Sequence, residues 1–172
     1  AGGLRVLEVT LRTPVALDAI KAMKQVPGAI VGAGTVTNPR ELDAALAAGS
    51  EFIVAPGLTE TLGKAAIASG VPFLPGVANA GDIMLGLDLG LDRFKFFPAM
   101  AAGGLPALKA LAAPFYQCRF CPTGGIGPDN AAEWLAFDPV LCVGGSWVSP
   151  KGAPDKARIE DLARKACALT PR

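Results

Sequence analysis

Residues 93–98 read Arg-Phe-Lys-Phe-Phe-Pro (RFKFFP), a β-rich run in which one lysine, Lys95, stands among Phe94, Phe96 and Phe97. Side chains alternate across a strand, so Lys95 and Phe97 share one face while Phe94 and Phe96 share the other. Similar runs recur outward from this point: VLEVTL from Val6, AIVGAGT from Ala29, EFIVAP from Glu51, PFLPGV from Pro72, RFCPTGG from Arg119 and LCVGGSW from Leu141. Their starts lie roughly two dozen residues apart, the length of a strand, a helix and two short loops. The segments between agree, because PVALDAIKAMKQV, NPRELDAALAAG, TETLGKAAIASG, AGDIMLGLDLG and PDNAAEWLA carry apolar residues at helical spacing. Thr, Asn or Pro opens several of them, and Gly closes them.

This βα repetition leaves an open doubly wound sheet or a closed (β/α)8 TIM barrel. Polar residues gather at strand ends throughout the series, whereas a doubly wound sheet concentrates them at one switch point, so the barrel is expected. GAGTV lacks the third glycine of a dinucleotide-binding turn. Seven strands are visible against the eight of a closed barrel, and the first begins close to Ala1. The expectation is therefore one barrel domain over residues 1–172, missing its first βα unit and open at one edge.

The totals narrow the function. Hydrophobic residues make up 51% of the 172 and charged residues 18%, enough for a substantial core. A net charge of +1 without a basic run argues against nucleic acid or an anionic membrane surface, leaving a small-molecule substrate. Apolar runs break well short of the roughly 20 residues of a membrane span. No secretory signal is read at the start, and four cysteines without the density of a disulfide scaffold favour a reducing cytoplasm. The CxxC spacing of Cys118 and Cys121 falls in a strand, where positions three apart face opposite ways, so packing is expected there rather than metal binding or redox chemistry. There is no histidine, which excludes Ser-His-Asp and Cys-His triads and His-ligated zinc. Acid–base chemistry falls to carboxylates, lysine, tyrosine or water.

Alternation along VLEVTLRT puts Glu8, Thr10 and, where the strand continues that far, Arg12 on the face opposite Leu7, Val9 and Leu11. In a barrel those three point inward, and so does Lys95. A buried structural ion pair is one reading, although desolvating both ions offsets most of its gain. The other makes Lys95 a nucleophile: an apolar wall from Phe97 and the cation Arg12 would favour the neutral amine, which attacks a carbonyl to form a Schiff base. Two glycine-rich turns, PTGGIGPDN (122–130) and VGGSW (143–147), follow the last two strands, where barrel enzymes place phosphate. Gly124, Gly125, Gly145 and Ser146 are the candidates for that contact.

Together EVTLRT, IVGAGTV, APGLTE, FKFFPA, RFCPTGGI and GGSW resemble the 2-keto-3-deoxy-6-phosphogluconate (KDPG) aldolase family, class I aldolases of the Entner–Doudoroff pathway. The likeness spans nearly the whole chain from Leu4. It implies Lys95 as the Schiff-base lysine, Glu8 as the acid–base carboxylate and Arg12 as the ligand of the substrate carboxylate. It further implies that Thr35, Pro56 and Phe97 line a pyruvate pocket, that Thr123 contacts the aldehyde portion, and that the TGG and GGS turns hold phosphate. No cofactor or metal is implied, and the family is typically homotrimeric. Related aldolases acting on 4-hydroxy-2-oxoglutarate or the galactonate epimer, and a non-catalytic barrel that binds a phosphorylated ligand, are the alternatives.

Overall fold

The computed structural model describes residues 2–150 and 152–169. The expected 1–172 domain therefore extends beyond the described residues at both ends, and Lys151 also falls outside them. The described chain divides into two compact units, Arg5–Lys95 and the residues from Phe96 onward joined by residues 2–4.

In the Arg5–Lys95 unit, β1 (Val6–Thr10), β2 (Ile30–Gly34), β3 (Ile53–Val54) and β4 (Phe73–Leu74) lie side by side in chain order, each pair parallel. Helices α1 (Ala16–Met23), α2 (Pro39–Ala47) and α3 (Glu60–Ala68) connect them. Parallel neighbours require such crossovers, and this explains the βα rhythm. The β1–β2 register sets Glu8 beside Gly32 and Thr10 beside Gly34, and Leu11 N–H extends the ladder by donating to the Gly34 carbonyl at 2.9 Å. β5 (Gly76–Val77), α4 (Ala80–Asp88) and β6 (Arg93–Phe96) follow, and the chain leaves the unit within β6.

Side-chain caps set the helix starts. Asn38 accepts from Glu41 N–H at 3.0 Å, with Pro39 at the first helical position, where its missing N–H costs nothing. The Glu41 carboxylate returns to Thr37, accepting from its backbone N–H at 2.7 Å and its hydroxyl at 2.8 Å. This reciprocal arrangement satisfies otherwise orphaned donors at the helix entry. Those hydrogen bonds, the backbone one foremost, hold the Glu41 carboxyl below its ordinary value. Asn79 and Asp82 repeat the device at α4, with Asn79 accepting from Asp82 N–H and Asp82 from Ala78 N–H. Between sheet and helices, Ile20, Val31, Ala33, Leu42, Ala45, Ile53, Leu62 and Ala66 form a buried cluster.

The second unit holds α5 (Gly104–Ala112), β7 (Arg119–Pro122), α6 (Ala131–Leu135) and α7 (Lys156–Cys167). Thr123 N–H donates to the Phe96 carbonyl at 2.9 Å, which aligns the end of β7 with the end of β6. The Phe96 and Trp134 rings meet at 6.3 Å between centroids in a core that includes Leu108 and Phe120.

Three features depart from the sequence reading. PFLPGV divides into β4 and β5 at Pro75, which has no N–H to continue a ladder. LCVGGSW forms no strand: one isolated parallel bridge pairs its Gly144 with Thr123, and a second pairs Val140, just ahead of it, with Phe120. Helices α5 and α7 were not anticipated. In GLPALKALA the opening Gly104 and internal Pro106 mask the periodicity, and α7 buries only Ala163, too narrow a stripe to stand out.

Candidate active site

Phe94 and Phe96 are fully buried, as the alternation requires, and Phe94 packs so closely on α4 that any side chain at Gly86 would strike its ring. Lys95 is on the opposite face at 6% exposure, and it and Ser50 are the buried polar residues among those described. Its Nζ lies 3.6 Å from Oε1 of Glu8. Glu8 retains 28% side-chain exposure, so one partner of the pair is dry and the other reaches solvent. The Lys95 backbone is fixed by its N–H, which donates to the Pro75 carbonyl at 2.8 Å.

The expected inward position of Glu8 thus brings it to Lys95 across the unit. Gly34 makes room for it: a Cβ there would come within 2.5 Å of Glu8 Cδ and 2.7 Å of Cγ, closer still to Oε1. Arg12 lies beyond the end of β1, where its N–H donates to the Thr10 carbonyl at 2.8 Å in a tight turn. Its Nε donates to the Thr35 hydroxyl at 3.3 Å. Thr35 follows β2 with φ of 62°, a left-handed conformation that strains a β-branched residue and persists only when its surroundings hold it. Pro56 is half-buried after β3, and Gly76 gives its carbonyl the space that a side chain would occupy.

The remaining candidates belong to the second unit. Phe97 is half-buried in the turn just past β6 rather than within the strand, and the Phe97–Pro98 peptide is cis. Thr123 closes β7, its carbonyl accepting from Ala99 N–H at 2.8 Å. Gly124 and Gly125 follow with φ of 104° and 77°, a pair of left-handed residues that glycine supplies without steric cost. Asn130, which the sequence reading missed, braces this turn: its Oδ1 accepts from Gly127 N–H at 2.9 Å and its Nδ2 donates to the Gly125 carbonyl at 3.1 Å. Asn before a helix is ordinarily read as a cap, and here the side chain serves the preceding loop instead. Gly145 and Ser146 are exposed and the chain after them runs in turns, whereas the 122–130 turn leads into α6 at Ala131.

Among the described residues no cluster of His, Cys, Asp or Glu could hold a metal ion, and no helix is long and apolar enough to cross a membrane.

A family model described as KDPG and KHG aldolase matches residues 1–162. The chain is similar to the 2-dehydro-3-deoxy-phosphogluconate aldolase of Zymomonas mobilis, 66% identical over 98% of this chain and 81% of the relative. It superposes on a crystal structure of the Z. mobilis 2-keto-3-deoxy-6-phosphogluconate aldolase with 3-phosphoglycerate at a TM-score of 0.97 and 65% identity, covering 98% of this chain and 81% of that one. A Legionella pneumophila KDPG aldolase, crystallised with pyruvate captured as a covalent carbinolamine, gives 0.89 at 44% identity over 96% of this chain and 82% of that one. The fold is the expected α/β, TIM-barrel-like one.

Proposed function

Because the chain belongs to the KDPG and KHG aldolase family, we propose that it is a class I aldolase that reversibly cleaves 2-keto-3-deoxy-6-phosphogluconate to pyruvate and glyceraldehyde 3-phosphate. The observation that carries this reading is the buried amine of Lys95 at 3.6 Å from the Glu8 carboxylate. A buried lysine is costly to desolvate for structure alone, and the carboxylate beside it keeps a route to solvent.

Lys95 Nζ attacks the C2 ketone to give a carbinolamine, and Glu8 relays the protons that allow water to leave. The resulting iminium draws electrons as a base takes the C4 hydroxyl proton, so the C3–C4 bond breaks, the aldehyde departs and an enamine remains. Protonation at C3 and hydrolysis release pyruvate and restore the amine. Arg12, directed by Thr35, takes the substrate carboxylate, and its planar guanidinium suits a bidentate pairing. Pro56 and Phe97 line the pyruvate portion and Thr123 contacts the aldehyde portion. The turns carrying Gly124, Gly125, Gly145 and Ser146 take the phosphate through backbone N–H groups. The carbinolamine captured in the L. pneumophila relative supports the covalent route. We place the protein as a homotrimer in the cytoplasm, within the Entner–Doudoroff pathway, with sedimentation velocity as the check on assembly.

Borohydride reduction in the presence of pyruvate tests the assignment. A pyruvyl adduct mapped to Lys95, lost together with turnover in a folded Lys95→Met variant, is expected, since methionine preserves volume. An adduct on another lysine, or none in folded protein, refutes the nucleophile. The matched family covers both aldolases, so 4-hydroxy-2-oxoglutarate is the second substrate to assay.

A further inference from the structure

Cys118 and Cys121 drew attention in the sequence by their spacing, but the structure pairs Cys121 with a different thiol. Cys118 is buried ahead of β7, whereas Cys121 lies within it and shares a side-chain hydrogen bond with Cys142. The pairing follows from Pro122. With no N–H to donate, it interrupts the ladder between β7 and the segment beside it. Phe120 is bridged to Val140 and Thr123 to Gly144, so three residue steps on one side are matched by four on the other. One extra residue is therefore accommodated between Leu141 and Val143, as in a bulge. Without it Cys142 would stand opposite Pro122, on the face away from Cys121. The slip turns it toward that thiol, because a one-residue shift exchanges the faces of a strand.

We propose that Cys121 and Cys142, beside but not among the proposed aldolase residues, form a dithiol modification site, which hydroperoxides oxidise to an intramolecular disulfide. The two thiols already meet in a side-chain hydrogen bond on adjacent segments, and a disulfide tolerates Cα separations of roughly 4.4–6.8 Å. Cys142 is exposed and Cys121 partly covered, so Cys142 meets the oxidant first. The hydrogen bond from Cys121 also brings the Cys142 thiol down to about 7 against the opposing effect of desolvation, which raises its thiolate fraction. The Cys142 sulfur attacks a peroxide oxygen and the O–O bond breaks. The leaving oxygen takes a proton to depart as alcohol or, from hydrogen peroxide, as water. The Cys121 sulfur then displaces the hydroxyl of the sulfenic acid, and a second product molecule, water, leaves. The two sulfurs together lose two electrons and the peroxide gains two. In a reducing compartment such a bond is transient and reversed by thiols.

The test exposes the purified chain to hydrogen peroxide, alkylates the remaining thiols and maps peptides without reduction. The expected result is a Cys121–Cys142 linked peptide that dithiothreitol abolishes, with Cys118 still alkylatable after denaturation. Cys142→Ser and Cys121→Ser each remove the linkage while Cys118→Ser retains it. Overoxidation of Cys142 with Cys121 left free, or a linkage through Cys118 or Cys167, overturns the proposal. The wild-type map alone decides this, even where a serine variant folds poorly.

Discussion

Replacing Gly34 by alanine separates the cost to the fold from the cost to chemistry. The new methyl would lie 2.5 Å from Glu8 Cδ and closer still to Oε1, and ordinary contact begins near 3.5 Å, so the carboxylate has to retreat by at least about 1 Å. Glu8 is partly exposed and its side chain is flexible, so the retreat is a rotamer change and costs little. The expected loss of stability is about 1 kcal/mol, the low end of overpacking, which leaves a typical domain almost wholly folded. On the proposed mechanism the Lys95–Glu8 separation of 3.6 Å has no such tolerance, because a shift of about 1 Å in a catalytic group can cost about 10²-fold in rate, or about 2.7 kcal/mol in the barrier. The assay follows pyruvate release by a coupled dehydrogenase, with thermal unfolding by circular dichroism alongside. A variant that melts slightly early yet loses about two orders of magnitude in kcat, with KM little altered, meets the expectation. Wild-type kcat in the folded variant would refute the claim that Gly34 exists to seat the Glu8 carboxylate.

Glu8→Gln preserves shape but removes the proposed proton carrier, so kcat should fall by roughly 10²- to 10⁴-fold, and an unchanged single-turnover rate would move the role to another group. Glu41→Gln should destabilise the protein at neutral pH. The folded Glu41 carboxyl titrates below its ordinary 4.5, so its contribution is present above that value and lost as pH falls through the depressed one. Urea titrations of both proteins across pH 7 to 3 should therefore converge at the acid end. Phe94→Ala empties a fully buried site against α4 and should cost about 3–5 kcal/mol, read as a lower urea midpoint, with a loss under 1 kcal/mol contradicting the packing described.

Periodicity and caps are local properties, which is why the βα rhythm of the Arg5–Lys95 unit, the burial of Phe94 and Phe96, and the shared inward face of Glu8 and Lys95 were legible in the linear chain, whereas α5 and α7 were not. The same logic made Asn38 and Thr59 readable as helix starts, while Asn79 lies one residue ahead of the segment read as α4. The identity of the TGG turn was likewise apparent from its glycines, although its brace, Asn130, was not. Distances depend on register between segments far apart in sequence, and one residue of slip reverses a face. Only folding brought Nζ of Lys95 to 3.6 Å from Glu8, set Gly34 behind that carboxylate and held Thr35 in a left-handed turn against Arg12. Only folding, too, paired Cys121 with Cys142, because the missing N–H of Pro122 acts on the neighbouring segment and leaves no trace in the spacing of the cysteines themselves.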